Sequence, residues 1–221
     1  MLCTSCSKTV RPVVALDIDG TLAKYHQAFV EFLELYFGRS FPGNWDGRGN
    51  WENYLGIERT QYQDAKLAFR QGGFHRWMLA HQGIDDVINA IRQSHAELWV
   101  TTTRPYLRLD AVDPDTQEWL LRNSVPFDHL LYDDEKYRKL AQQVSSDRVV
   151  LVLEDLPLQY ENAAVELGHD IPLLVERMHN LYYREKQRSL SPYHRMRTTR
   201  SLHEAASEIS FRVKMWDEEH A

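Results

Sequence analysis

Two carboxylates, Asp17 and Asp19, stand one residue apart in the run Val-Val-Ala-Leu-Asp-Ile-Asp-Gly-Thr-Leu, which occupies residues 13–22. Side chains alternate along an extended strand, so the two acids point the same way, and Gly20 lets the chain turn sharply beside them. Carboxylates this close repel unless a cation or a proton joins them. Magnesium, held by one or two carboxylates and by substrate phosphate oxygens, is the expected cofactor (Mg2+).

Further chemistry-bearing residues follow other apolar runs. Thr102 and Thr103 lie in Val-Thr-Thr-Thr-Arg-Pro, Lys136 follows His-Leu-Leu-Tyr-Asp-Asp-Glu, and Glu154-Asp155 follow Val-Val-Leu-Val-Leu. A carboxylate nucleophile, a hydroxyl, an ammonium and a second acidic pair are what metal-assisted phosphoryl transfer through an acyl phosphate requires.

The elements that must position these groups can be read from periodicity. Val13 onward suits a strand buried on both faces of a parallel sheet, whose ligands sit at the carboxyl ends of strands. Phe29, Phe32, Leu33, Tyr36 and Phe37 recur at helical spacing, and Gly38 supplies a stop. A glycine- and tryptophan-rich loop follows, whose Trp45 and Trp51 should pack or line a pocket. Thr60 is expected to cap a helix through Phe69, with a further helical piece from Phe74 to Leu79. After Gly83 strands and helices alternate. Asp85 or Asp86 caps a helix, residues 98–102 form a strand, and Asp113-Pro114 opens a helix with proline at its first position. His129–Tyr132 and Val149–Leu153 read as strands, Glu135–Val144 as a helix, and Pro157 starts the helix that Gly168 ends. Ile171–Val175 is the last strong strand. Ser201 and Glu204 form a capping box for a helix from Leu202 to about Met215. The expected fold class is α/β, a doubly wound, mostly parallel sheet.

Composition narrows the function. The 221 residues allow one α/β domain plus a small insertion, and the formal charge of -6 argues against broad nucleic-acid coating. No apolar run approaches the ~20 residues that cross a bilayer, and the start lacks the apolar core of a signal peptide, so a soluble cytoplasmic protein without a membrane partner is expected. Cys3 and Cys6 form a lone Cys-x-x-Cys pair. With no second cysteine pair they read as a short tail carrying two reduced thiols.

In their order, Asp17-x-Asp19-Gly20-Thr21, Thr102, Lys136 and Glu154-Asp155 resemble the motifs of the haloacid dehalogenase superfamily of phosphohydrolases, over about residues 13–176. Within it the chain looks most like the 5'(3')-deoxyribonucleotidases and related nucleotidase-like proteins. Gly72-Gly73-Phe74, the Asp128 to Lys136 spacing, Glu161-Asn162-Ala163 and His179-Asn180 carry that likeness. The chain departs from the group in having Glu154-Asp155 where the group has two aspartates.

The resemblance implies a core over residues 9–23 and 84–221 and a helical cap over 24–83. It makes Asp17 the nucleophile and a metal ligand, and Asp19 the general acid and base, with its backbone carbonyl on the metal. Asp155 and Glu154 complete the magnesium shell, directly or through waters. Thr102, with neighbouring Thr103, and Lys136 contact the phosphate; Lys139, one helical turn on, remains the rival of Lys136. Metal binding at Asp17 would leave Asp19 free to stay protonated until it acts, because neighbouring carboxylates titrate together.

The expected activity is hydrolysis of a small phosphate ester, a nucleoside monophosphate in the first instance. Phe29, Trp45, Trp51, Tyr54, Phe74 and Trp77 are candidates to stack on a base. Removal of a 3'-phosphate from a polynucleotide end is the alternative, using the run that holds Arg177, Arg184, Lys186, Arg188, Arg195, Arg197 and Arg200, which otherwise reads as a solvated loop. A non-catalytic phosphate-binding or regulatory protein is the third reading.

Overall fold

A computed structural model of the chain describes residues 10–105, 108–188 and 196–221. Cys3 and Cys6 lie outside the described residues. Six segments form one all-parallel sheet: β1 (Val13–Asp17), β2 (Glu97–Thr102), β3 (His129–Tyr132), β4 (Val149–Glu154), β5 (Pro172–Val175) and β6 (Thr198–Thr199), in spatial order β3-β2-β1-β4-β5-β6. The two-residue β6, polar and short, carries no periodic signal that sequence reading could find.

The chain winds outward from β1 to β3, then crosses back to lay β4 against the other side of β1. That reversal is the topological switch point of a doubly wound sheet, where ligands bind beyond the carboxyl ends of the strands. Leu16 pairs with Leu153 and Asp17 with Thr101, so Asp17, Thr102 and Glu154 emerge together at this edge.

One face of the sheet is covered by α4 (Ile84–Gln93) and α9 (Leu202–His220), whose Val87, Ile91, Ile209 and Val213 pack on Val14, Leu16 and Leu151 with Trp119 and Leu120 of α5 (Val112–Arg122). The opposite face takes α6 (Lys136–Gln143) and α7 (Pro157–Leu167), through Tyr137, Leu140, Ala163 and Leu167.

Residues 24–83 fold as α1 (Tyr25–Phe37), α2 (Trp51–Leu55), α3 (Arg59–Gln71) and a 3-10 turn over Phe74–Trp77. Phe29, Phe32 and Phe69 are buried here, continuous with the apolar interior over Leu16 and Ile88. The stem is pinned where the Lys24 N–H donates to Leu79 O and the His81 N–H to Leu22 O, both at 2.8 Å.

Several helix starts differ from expectation. Helix α3 begins at Arg59, so Thr60 lies inside it, and the preceding residue, Glu58, takes the Tyr62 N–H on its carbonyl. Helix α4 is capped by Gly83 at φ 90, a left-handed conformation that favours glycine; Asp85 and Asp86 sit in its first turn, where the helix dipole favours acids. Helix α5 starts at Val112, so Pro114 is its third residue, still within the turn whose N–H groups lack intrahelical partners. The piece after Phe74 stops at Trp77, and α9 runs past Met215 to His220 because Trp216 is also buried. Ser201 Oγ accepts the Glu204 N–H, but the Glu204 carboxylate accepts from Arg200 N rather than Ser201, so half of the capping box forms.

Candidate active site

Lys136, the first residue of α6, is driven under the sheet edge by the burial of Tyr137 and Leu140 on the same helix. Its Nζ lies 2.5 Å from Asp17 Oδ1 and 2.8 Å from Glu154 Oε2, and all three side chains are nearly or fully buried. Glu154 is saturated. Its Oε2 also accepts the Tyr137 hydroxyl at 2.6 Å, and its Oε1 accepts the backbone N–H groups of Asp155 and Leu156. Lys139 is exposed on the outer side of α6, so Lys136 alone of the two reaches the acids.

Asp155 is fully buried. Its Oδ1 accepts the Thr21 hydroxyl at 2.8 Å, while its Oδ2 lies 2.6 Å from His179 Nε2 but out of line for a hydrogen bond, leaving both atoms without such a partner. Burial, and then the Arg177 charge, holds His179 down at about 4, so it is neutral near pH 7. Gly20, at φ +93, approaches so closely that a Cβ there would fall on the Asp155 carboxylate. Arg177 donates to the carbonyls of Gly20 and Thr21, and Asn180 to those of Asp155 and Val175, fixing both loops.

One ammonium thus faces three buried carboxylates. Burial and the charge of Glu154 raise both Asp17 and Asp155 well above the usual carboxylate range. Oxygens of Asp17, Glu154 and Asp155 lie within 4.8 Å of one another. An excess of buried negative charge, an all-oxygen donor set and the orphaned Asp155 Oδ2 fit a hard divalent cation.

Asp19 is turned the other way. Buried Arg104, two residues past the end of β2, grips it with Nε at 2.8 Å from Oδ2 and Nη2 at 2.5 Å from Oδ1, and its Nη1 donates to Thr116 Oγ1 at 2.8 Å. Burial pushes the Asp19 carboxyl up, but the guanidinium outweighs it and holds Asp19 down at about 2. In this arrangement Asp19 is the ionised acid, and Asp17 is the one with the raised affinity for a proton. Arg104 was visible in Val-Thr-Thr-Thr-Arg-Pro, but only the fold shows its reach to Asp19.

Thr102 is buried at the end of β2, where its hydroxyl oxygen accepts the Arg104 N–H at 3.2 Å, and Thr103 is half-buried next to it. Of the aromatic candidates, Trp45 and Trp51 stack with centroids 5.9 Å apart and line a cavity of about 390 Å3 together with His26, Met178 and His179. His26 lies flat on His179 at 4.0 Å, which joins this cavity to the acid cluster. Phe29 is core, while Tyr54 and Trp77 are exposed, Trp77 beneath the Arg122 guanidinium.

The described part of the basic run, residues 177–188 and 196–200, is structured and internally paired. Residues Leu181–Arg188 form helix α8, and Arg184, Arg197 and Arg200 pair with Glu176, Glu208 and Glu204. Arg195 lies outside the described residues. Among the described residues no helix is long and apolar enough to cross a membrane.

No protein-family model matches the chain, and no curated protein matches it. Solved structures do resemble it. A predicted phosphatase from Clostridium acetobutylicum superposes with TM-score 0.62 at 14% identity, over 91% of this chain and 99% of that one. A HAD hydrolase of family IA, variant 3, from Entamoeba histolytica HM-1:IMSS gives 0.56 at 16%, over 92% and 99%. A D,D-heptose 1,7-bisphosphate phosphatase from B. bronchiseptica, complexed with magnesium and phosphate, gives 0.51 at 16%, over 90% and 97%. The fold is that of the haloacid-dehalogenase-type hydrolases.

Proposed function

We propose that the protein is a magnesium-dependent phosphomonoester hydrolase that passes the phosphoryl group through Asp17. The observation that carries this reading is the crowding of three buried carboxylates around the single Lys136 ammonium at the switch point of the sheet. Such an arrangement is costly to maintain without a cation and a phosphate to complete it. Asp17 and Asp155, with the Asp19 carbonyl, would hold magnesium, which would supply charge neutralisation at the phosphoryl oxygens. Glu154, its oxygens already engaged, contributes charge and holds Lys136 in place.

Asp17 attacks phosphorus in line; the new Asp17 O–P bond forms as the bond to the leaving oxygen breaks. Asp19 gives that oxygen a proton, then takes one from the water that hydrolyses the aspartyl phosphate. To carry the proton, Asp19 must loosen from Arg104. Lys136 and the Thr102 hydroxyl, with Thr103 beside it, hold the phosphoryl oxygens. Residues 24–83 act as a cap on the core formed by 9–23 and 84–221, excluding bulk water during transfer.

The ester is small, and a nucleoside monophosphate suits the Trp45–Trp51 wall, which offers a planar base a stacking surface beside the acids. Among the described residues of the 177–200 run, Arg184, Arg197 and Arg200 are paired within the chain, which gives no support to a polynucleotide track. The test is hydrolysis of an aryl phosphate and a nucleotide panel with and without magnesium. Activity that needs the ion and is lost in Asp17→Asn supports the reading; activity that persists in Asp17→Asn removes Asp17 as nucleophile, and absence of hydrolysis leaves a phosphate-binding protein.

A further inference from the structure

Helix α3 carries Lys66 and Arg70 one turn apart, each next in sequence to a residue the helix buries, Ala65 and Phe69. Both are half-buried, and among the described residues neither makes an ion pair or hydrogen bond; Lys66 meets only the Tyr62 ring, at 5.7 Å. Their acidic surroundings are sparse. Asp19 is already held by Arg104, and Glu52 acts on Lys66 from a distance. Burial lowers the Lys66 pKa and the neighbouring Arg70 lowers it further, the signature of two cations sharing one space.

The same space holds two buried polar atoms without partners, Tyr25 Oη and His75 Nδ1. The Tyr25 and His75 rings stack at 6.2 Å and both meet the Phe69 ring, adjacent in sequence to Arg70. Two unpaired cations and two unsatisfied donors or acceptors around one point form a receptor for an anion. This cluster flanks Asp19 on the side of Arg104, whereas Lys136 and the acid triad lie around Asp17.

We infer that Lys66 and Arg70, with Tyr25 and His75, bind a second phosphate carried by the leaving group of a small bisphosphorylated substrate. This rests on the phosphatase reading above: if Asp19 protonates the leaving oxygen, cations gathered around Asp19 face the leaving group and not the phosphoryl group in transfer. A sugar bisphosphate and a nucleoside bisphosphate present the same second dianion. A small molecule is favoured over an oligonucleotide because the cations are half-buried in the insertion and the outer arginines are paired within the chain.

The experiment compares kcat/KM for matched pairs, a nucleoside 3',5'-bisphosphate against its monophosphate and a sugar bisphosphate against its monophosphate, in the wild type, Lys66→Gln and Arg70→Gln. Preference for a bisphosphate by about tenfold or more is expected, as charge-assisted contacts to a dianion would give. Each substitution should shrink that preference several-fold, mainly through KM, and the wild-type preference should fall as salt rises. The pair with the larger preference identifies the sugar or the nucleoside as its source. Equal rates on both members of both pairs, a preference untouched by both substitutions, or a larger preference for a 3'-phosphorylated oligonucleotide would overturn the inference while Asp17-dependent aryl phosphate hydrolysis still stood. Absence of all hydrolysis would instead sink the phosphatase reading itself. Should either variant fail to fold, the salt dependence of the wild-type preference decides alone: a salt-independent preference refutes the cationic subsite.

Discussion

Arg104 Nε stands 2.8 Å from Asp19 Oδ2 while its Nη2 stands 2.5 Å from Oδ1, a two-pronged grip on the acid next to Asp17. The grip sets the ionisation of Asp19 and anchors it to α5 through Thr116. Replacing Arg104 with Met removes the cation that depresses Asp19 and leaves the burial that raises it. The limb of the kcat/KM profile controlled by Asp19 should therefore move to higher pH. Turnover of an alkyl phosphate should fall about 10- to 100-fold as the acid loses its orientation. A profile that matches the wild type would show that Arg104 does not govern Asp19.

The Asp17→Asn variant tests the electrostatics of the site independently of catalysis. In the metal-free protein Asp17 is one of three buried carboxylates around Lys136, and both Glu154 and Asp155 push its pKa up. A neutral amide relieves that repulsion and leaves Lys136 paired with Glu154. Without magnesium this variant should unfold at a higher temperature than the wild type. A gain of about 1 kcal/mol would appear as about 2–4 °C for a chain of this size. A lower Tm would show that the Lys136 bond outweighs the repulsion.

Much of this centre is legible in the chain itself. Continuous apolar runs ending in Asp17, Thr102 and Glu154 mark parallel strands, and parallel strands bring their ends to one edge. What sequence could not supply was partnership at long separation. Arg104 reaches Asp19 across 85 positions, and Tyr137 on α6 fixes Glu154 at the end of β4. The choice of Lys136 over Lys139 follows from which face of α6 is buried, visible once Tyr137 and Leu140 are known to pack. Helix starts at Arg59 and Ile84 were misplaced because a capping side chain was assumed where backbone groups alone begin the helix. Of the arginine run read as solvated, Arg184, Arg197 and Arg200 pair with Glu176, Glu208 and Glu204, four to eleven positions away, and a count of charges along the run does not show those pairings.

Magnesium should stabilise the protein through Asp155 in particular, because its Oδ2 is a buried oxygen of the acid triad left without a hydrogen bond. At ten to a hundred times its dissociation constant the ion would contribute about 1.4 to 2.7 kcal/mol, read as an upward shift in Tm. Chelation should reverse the shift. In Asp155→Asn the shift should shrink or vanish, and a full shift retained there would place the ion elsewhere.

Histidine burial sets the acid side of the stability curve. His75 is almost wholly buried, and burial followed by the Arg104 charge depresses it from 6.5 to about 3. Between those values the unfolded chain binds a proton that the folded chain refuses, so this contribution is complete above pH 6.5 and is lost as pH falls through 6.5 toward 3. His75→Phe, which keeps an aromatic ring against Phe69, should lose less stability between pH 7 and pH 4.5 than the wild type. Urea midpoints at the two pH values give the comparison, and an equal loss in both proteins would remove His75 as a source of acid sensitivity.

Gly20 couples the backbone turn after β1 to the acid opposite it. Its φ of +93 is strained for any L side chain, and a Cβ there would collide with the Asp155 carboxylate, which is fully buried and tied to Thr21. Gly20→Ala must therefore either rotate Asp155 away from Thr21 or displace the Asp19–Thr21 loop that Arg177 holds by its carbonyls. Either response separates Asp155 from Asp17. The variant should lose about 1–3 kcal/mol of stability from the strained backbone alone, together with its magnesium-dependent Tm shift. Thermal melts with and without magnesium read both effects, and a variant that keeps the full metal shift would show that the turn and the acid cluster are not coupled.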